Sequence, residues 1–195
     1  RDLVRSRGLG DVYKRQVIYG PSNSGKSWVL QCIDYVFGLK ADEFVLDENS
    51  GYTEVRMGVR TAQGSLTLSR PIGEGANNIE VSSTDPRIES GTYKRQSSGR
   101  SPLLSSVWLK LIGYDAPENL KIIKNQNLET QALTWRTFWH ALYADEDRIS
   151  TKKPILLPLQ TTAQPAFKCA LASLITGKDY AAYALSLIHI SEPTR

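Results

Sequence analysis

The chain has 195 residues, with 24 Lys and Arg against 20 Asp and Glu, a formal charge of +4 and an apolar share of 41%. That length suits one domain or a large part of one, and no apolar run approaches the roughly 20 residues that a membrane-spanning helix needs, so no membrane partner is expected. Cys32 and Cys169 show no metal-type spacing, which argues against a zinc site or a disulfide scaffold and for a reducing compartment, the cytoplasm by default.

Both ends read as foreign to a protein. Residues 6–16 (SRGLGDVYKRQ) and 185–195 (LSLIHISEPTR) resemble translated transposon-type sequencing adapters. They are two strands of one DNA: residues 11–16 back-translate to GAT GTG TAT AAG AGA CAG, whose reverse complement encodes the Leu-Ser-Leu-Ile-His-Ile of residues 185–190. Residues 1–5 carry no strand or helix pattern and are set aside with them. The expected organisation is therefore adapter over 1–16, a partial domain over 17–184 cut from its reading frame at both sides, and adapter over 185–195. The tails hold six of the 24 basic and three of the 20 acidic residues, so the remainder carries 18 against 17, and net charge supports no nucleic-acid claim. Residues 93–96 repeat the YKRQ of residues 13–16 without its preceding Asp-Val, and are read as coincidence.

Val17, Ile18 and Tyr19 read as the stub of an apolar strand entering a glycine-rich loop. Val29, Leu30, Ile33, Val36 and Phe37 then recur at helical spacing until Gly38. After an acidic stretch around Phe44, Val45 and Leu46, the residues Val55, Met57 and Val59 alternate with polar ones. Ala62, Gln63 and Gly64 follow, then Leu66 and Leu68, which together predict a β-hairpin. Ile79 and Val81 predict a third short strand, and residues 82–101, rich in Ser, Gly and charge, a loop or insertion. Ser101 and Pro102 suit an N-cap and first helical position, with Leu103, Leu104, Val107, Trp108, Leu111 and Ile112 continuing to Gly113. Thr134 caps a helix carrying Trp135, Phe138, Trp139 and Leu142, and a last helix with Phe167, Cys169, Ala170, Leu171 and Leu174 ends at Gly177. No internal repeat emerges.

Residues 20–27, GPSNSGKS, meet the pattern G-x-x-x-x-G-K-[ST] between a strand pattern and a helix pattern. The residue types follow from the chemistry of holding phosphate. Gly20 and Gly25 let backbone N–H groups turn inward, and Pro21, Ser22, Asn23 and Ser24 complete the loop. The following helix presents its N-terminal amides to the anion. Lys26 supplies a mobile positive charge for the β- and γ-phosphates, and Ser27 a hydroxyl for Mg²⁺. The predicted ligand is ATP with Mg²⁺, with Lys26 the catalytic candidate and Ser27 the metal ligand.

The run VIYGPSNSGKSWVLQCIDYVFG resembles the P-loop and first helix of SMC-like ABC ATPases, the class that includes SbcC, RecF and RecN. Ser22 stands where that family usually has Asn, with Asn23 after it. The β segment VRMGVRTAQGSLTLSRPI and the helical residues behind it follow the order of the N-terminal half of such a head, and TWRTFWHALYADEDRISTKKPIL resembles, more weakly, its Q-loop stretch. The resemblance implies an α/β P-loop NTPase fold: the N-terminal lobe of an ABC-type ATPase head, truncated, with an antiparallel β segment and a helical lobe. It implies ATP hydrolysis in the intact parent, a second ATPase head as partner (homodimer or intramolecular C-terminal half), and work in DNA repair, recombination or anti-phage defence, with DNA an allowed partner. The Q-loop glutamine of that family has no secure equivalent, Gln126, Gln131 and Gln160 being candidates only by being nearby. The signature motif and Walker B pair of the C-terminal half are not identifiable, so the fragment should bind nucleotide better than it hydrolyses it. A small-molecule kinase and a non-catalytic nucleotide-sensing module are the alternatives.

Other residues have blander readings. Asp145 and Glu146 after Ala141, Leu142 and Tyr143 could imitate a Walker B strand, but the three- and four-residue steps from Trp135 favour a solvated helix end. His140 lacks the partner spacing of a metal ligand. Arg56, Arg60, Arg70, Lys94, Arg95 and Arg100 fit either solvated faces or DNA phosphate contacts. The tryptophans are assigned to packing, with Trp28 beside the nucleotide.

Overall fold

The computed structural model describes residues 18–22, 24–44, 46, 50–96, 102–125, 127–144, 146–150, 152, 154, 156–158 and 160–177. The adapter-like tails, Asn23, Val45, Arg100, Ser101, Gln126 and Asp145 lie outside them.

Alternating apolar residues build an antiparallel meander. Strands β1 (Glu54–Arg60), β2 (Ser65–Pro71), β3 (Asn78–Ser83) and β4 (Gly91–Lys94) pair in that order. The register sets Val59 opposite Leu66, Met57 opposite Leu68, Leu68 opposite Val81, and Ile79 opposite Tyr93. One face therefore carries Leu66, Leu68, Ile79, Val81 and Tyr93, all buried, as period-2 alternation requires. The expected hairpin and third strand are both present. Gly64 closes the hairpin against the chain at 84–85, where an added Cβ would come within 2.7 Å of the Asp85 amide nitrogen.

Residues 82–96 do not form the expected loop, and residues 97–101 of that run lie outside the described residues. Ser82 and Ser83 finish β3, and β4 adds a fourth strand. Two apolar residues in this polar run cause it: Tyr93 docks opposite Ile79, and Ile88 sinks into the core. Before them in the chain Asp85 is buried, and its carboxylate accepts from Arg87 Nε at 2.9 Å, Arg87 Nη2 at 2.7 Å and Thr61 Oγ1 at 2.5 Å. The Arg87 guanidinium first, then the Thr61 hydroxyl, hold this carboxyl well below the usual carboxylate range. A lowered folded-state pKa means that the unfolded chain binds the proton first. The stabilisation is thus present above roughly pH 4 and is lost as pH falls toward the folded value. Asp85→Asn is expected to lower Tm at neutral pH and to flatten the acid side of a Tm-against-pH curve; an unchanged acid slope would contradict this assignment.

Helices α1 (Lys26–Val36) and α2 (Leu104–Leu111) cover the buried face of the meander. Tyr35, Val36 and Phe44 meet Leu68, Ile79, Val107 and Trp108 in one core. A second core joins Leu109 of α2 to a ribbon of β5 (Lys121–Ile123) and β6 (Thr130–Ala132), and to α3 (Trp135–Leu142) and α5 (Gln164–Thr176). A short α4 (Glu146–Ser150) separates these last two. Among the described residues the result is a mixed α/β fold with two small antiparallel sheets and several helices.

Several helix ends match the sequence reading. Gly38 follows α1 at φ 102°, Gly113 follows α2 at φ 106°, and Gly177 caps α5 at φ 67°, the left-handed conformation in which glycine avoids a side-chain penalty. Thr134 precedes α3 as expected, although its hydroxyl meets Thr137 Oγ1 at 3.1 Å and caps no amide. The α2 start is corrected from Pro102 to Leu104. Residues 102 and 103 stay extended because the Pro102 carbonyl accepts from the Lys94 amide at 2.8 Å and Leu103 bridges to Lys94. Ala141 and Leu142 end α3 with Leu142 60% exposed, so the Walker B strand imitation is overturned.

The strand stub before the loop is also corrected. Ile18 and Tyr19 belong to no strand and are 61% and 76% exposed; Val17 lies outside the described residues. An isolated apolar segment has no neighbour to satisfy its backbone groups, and every described strand pairs elsewhere. Among the described residues no helix is long and apolar enough to cross a membrane.

Candidate functional site

The loop at residues 20–27 is set by Gly25, which caps α1 at φ 80° and ψ 11°. A side chain there would meet no atom within 4 Å, so the requirement for glycine is the left-handed backbone and not space. That turn delivers the chain directly into the helix, whose first intrahelical bond runs from the Val29 amide to the Gly25 carbonyl at 3.2 Å. The amides of Lys26, Ser27 and Trp28 therefore precede any intrahelical acceptor and have no backbone partner among the described residues. Three N–H groups and the positive end of the helix dipole share one exposed point, a geometry suited to an anion.

Lys26 folds back across the loop. Its ammonium donates to the Pro21 carbonyl at 2.6 Å, the Gly20 carbonyl at 2.9 Å and Ser24 Oγ at 3.1 Å. Gly20 permits the curl, since a Cβ there would sit 3.2 Å from Ser24 Oγ. The side chain thereby ties Gly20, Pro21 and Ser24 to the helix start. Ser27 is exposed and its hydroxyl has no hydrogen bond among the described residues, so a hard oxygen donor stands one residue from the ammonium. That donor is of the kind Mg²⁺ takes when the cation also holds phosphate oxygens and water.

The far end of α1 is fixed as firmly as its start is open. Tyr35 and Val36 are buried, and the Tyr35 hydroxyl donates to the Pro71 carbonyl at 2.5 Å. Asp34 is paired with Arg136 of α3. Arg70, expected on a solvated or DNA-facing surface, is wholly buried: its Nε donates to the Ala76 carbonyl at 2.7 Å, and Nη1 to the carbonyls of Leu39, at 2.8 Å, and Tyr35. Its guanidinium lies 3.8 Å from the Tyr35 ring centroid. Burial lowers its pKa to about 10, so it stays charged at neutral pH. The meander thus holds α1 by its last turn and leaves its first turn exposed to solvent.

No family model, curated protein or solved structure matches this chain.

The remaining sequence candidates are scattered. Trp28 is half-buried, its ring 6.1 Å from Phe44 and 5.7 Å from Tyr52 between centroids, with Tyr52 63% exposed. It packs in an aromatic group beside the loop whose Tyr52 member carried no sequence signal. Gln131 sits on β6 and Gln160 is exposed before the turn at Thr161–Ala163. Arg56 pairs with Glu54 at 2.6 Å and Arg60 is exposed. Lys94 ends β4, and Arg95 donates to Asn77 Oδ1 at 3.3 Å. Among the described residues no group of three or more His, Cys, Asp or Glu side chains converges.

Proposed function

We propose that residues 20–27 bind the triphosphate of ATP with Mg²⁺, and that the chain is part of an SMC-like ABC ATPase head. The observation that carries this reading is the left-handed turn at Gly25, which gathers the amides of Lys26, Ser27 and Trp28, the Lys26 ammonium and the Ser27 hydroxyl at one exposed helix start. The amides of 26–28 hold phosphate oxygens. Lys26 exchanges one or more loop acceptors for a β- or γ-phosphate oxygen, and Ser27 would hold the cation, which supplies charge neutralisation across the same oxygens.

The wider assignment has its own support. Ile18, Tyr19, Val29 and Leu30 surround the loop and are all exposed, at 61%, 76%, 45% and 44%. Apolar residues on the first two turns of α1 and in the segment before the loop fit a head whose second half completes the sheet there. The antiparallel meander also favours this reading over a small-molecule kinase, in which strands and helices alternate. Cytoplasmic ATP hydrolysis with a second head, and a role on DNA, follow from the family likeness alone.

Titration calorimetry of the chain with ATP tests the core of the proposal. Saturable binding that strengthens when Mg²⁺ replaces EDTA is expected. Absence of heat at millimolar ATP under both conditions would remove it.

A further inference from the structure

A cavity of about 390 Å³ lies between β5–β6, α3, α5 and the turn at Thr161–Ala163, and none of residues 20–27 lines it. Its lining includes Lys124, Gln131, Arg136 and His140, with Pro158 and Phe167 buried behind them. No carboxylate is among its described lining residues.

The polar groups on these walls have hydrogen-bonding capacity that the described residues do not use. Lys124 Nζ has its nearest carboxylate, Glu129, at 3.8 Å, beyond a hydrogen bond, and Glu129 already accepts from Asn125 Nδ2 at 2.8 Å. Arg136 gives Nη1 to Asp34, leaving Nε and Nη2 without an acceptor among the described residues. His140 Nδ1 lies 2.7 Å from Arg148 Nη1. An arginine nitrogen can only donate, so Nδ1 is the acceptor and the ring proton sits on Nε2. Burial, then the charges of Arg148 and Arg136, push the imidazole pKa down, which keeps that neutral tautomer at pH 7. His140 Nε2–H is thus a further donor without a described acceptor.

We propose that this cavity binds the phosphate group of a small phosphorylated molecule. Two basic residues, Lys124 and Arg136, line it; Arg136 is paired with Asp34 and its guanidinium lies 5.1 Å from the Trp139 ring centroid, and Lys124 has Glu129 at 3.8 Å. Donors reach it from the ribbon (Lys124, Gln131), from α3 (Arg136, His140) and from the turn (Thr162). Donors on three sides match the three terminal oxygens of a phosphomonoester. A planar carboxylate is better served by a single coplanar fork. The volume falls at the lower end of small-ligand pockets, about 300–1,000 Å³, which leaves room for the group attached to the phosphate.

Phenyl phosphate is the probe, titrated calorimetrically into the full 195-residue chain. Lys124 is more than half exposed and Thr162 is exposed, so Lys124→Gln and Thr162→Val leave the fold intact. Lys124→Gln should weaken phenyl phosphate about tenfold, the loss of one charge-assisted hydrogen bond, and Thr162→Val by less. Lys26→Ala should leave this affinity unchanged, which separates the cavity from the glycine loop. Benzoate should bind more weakly than phenyl phosphate. Equal binding by wild type and Lys124→Gln, loss of binding in Lys26→Ala, or benzoate binding as tightly as phenyl phosphate would each overturn the assignment.

Discussion

Lys26→Ala should weaken ATP binding by about tenfold to a hundredfold, the range for losing a charged hydrogen-bond donor to an anion, while leaving Tm nearly unchanged. Affinity and stability separate here because the three hydrogen bonds that Lys26 makes to Gly20, Pro21 and Ser24 are all exposed. Water replaces them at little cost when the side chain is removed. A phosphate oxygen held by the same ammonium beside the amides of 26–28 has no such substitute. Ser27→Ala is the matched comparison: it removes only the hydroxyl, so it should lower affinity in Mg²⁺ and leave affinity in EDTA unaffected, whereas Lys26→Ala should lower both. If both variants bind ATP as wild type does, the loop is a solvent-exposed turn and the nucleotide reading fails.

The loop was legible because every group that forms it lies within eight consecutive residues, and its backbone demand falls on a glycine at Gly25. The hairpin was legible for a similar reason, since Met57 and Val59 pair locally with Leu68 and Leu66 across one turn. Strand β4 was hidden by composition: its only large apolar residue is Tyr93, in a run of Ser, Gly and charge, and its pairing depends on Ile79 being already in place. The three-residue strands β5 and β6 are too short to show a period. The strand expected at Val17, Ile18 and Tyr19 had the right composition, but a strand is defined by a neighbour, and neighbours are not written locally. The burial of Arg70 runs against its charge although its position is readable. It continues the phase of Leu66 and Leu68, two residues on, and so points to the same buried face. Register, and not charge, decides its burial.

Arg70→Ala should therefore cost at least about 3 kcal/mol, or roughly 6–12 °C in Tm for a chain of this size. Replacing a buried charge with an apolar side chain is often neutral when its partner is replaced too. The partners of Arg70 are the backbone carbonyls of Tyr35, Leu39 and Ala76, which no substitution at position 70 can remove. Each orphaned acceptor costs about 1–3 kcal/mol unless water reaches it, and the void under the Tyr35 ring adds to this. Arg70→Met divides the two contributions, because methionine refills much of the volume and restores none of the hydrogen bonds. A methionine variant as unstable as the alanine one would assign the loss to the carbonyls, and one that recovers wild-type Tm would assign it to packing and overturn the hydrogen-bond account. One of the three carbonyls, that of Tyr35, belongs to the last turn of α1 and also accepts from the Gly38 amide; the first turn of the same helix carries Lys26 and Ser27. Chemical denaturation monitored at Trp28 and ATP titration of the folded fraction should accordingly part company, with stability falling and the affinity of molecules still folded holding, since the left-handed turn at Gly25 is set ten residues away from the lost anchor.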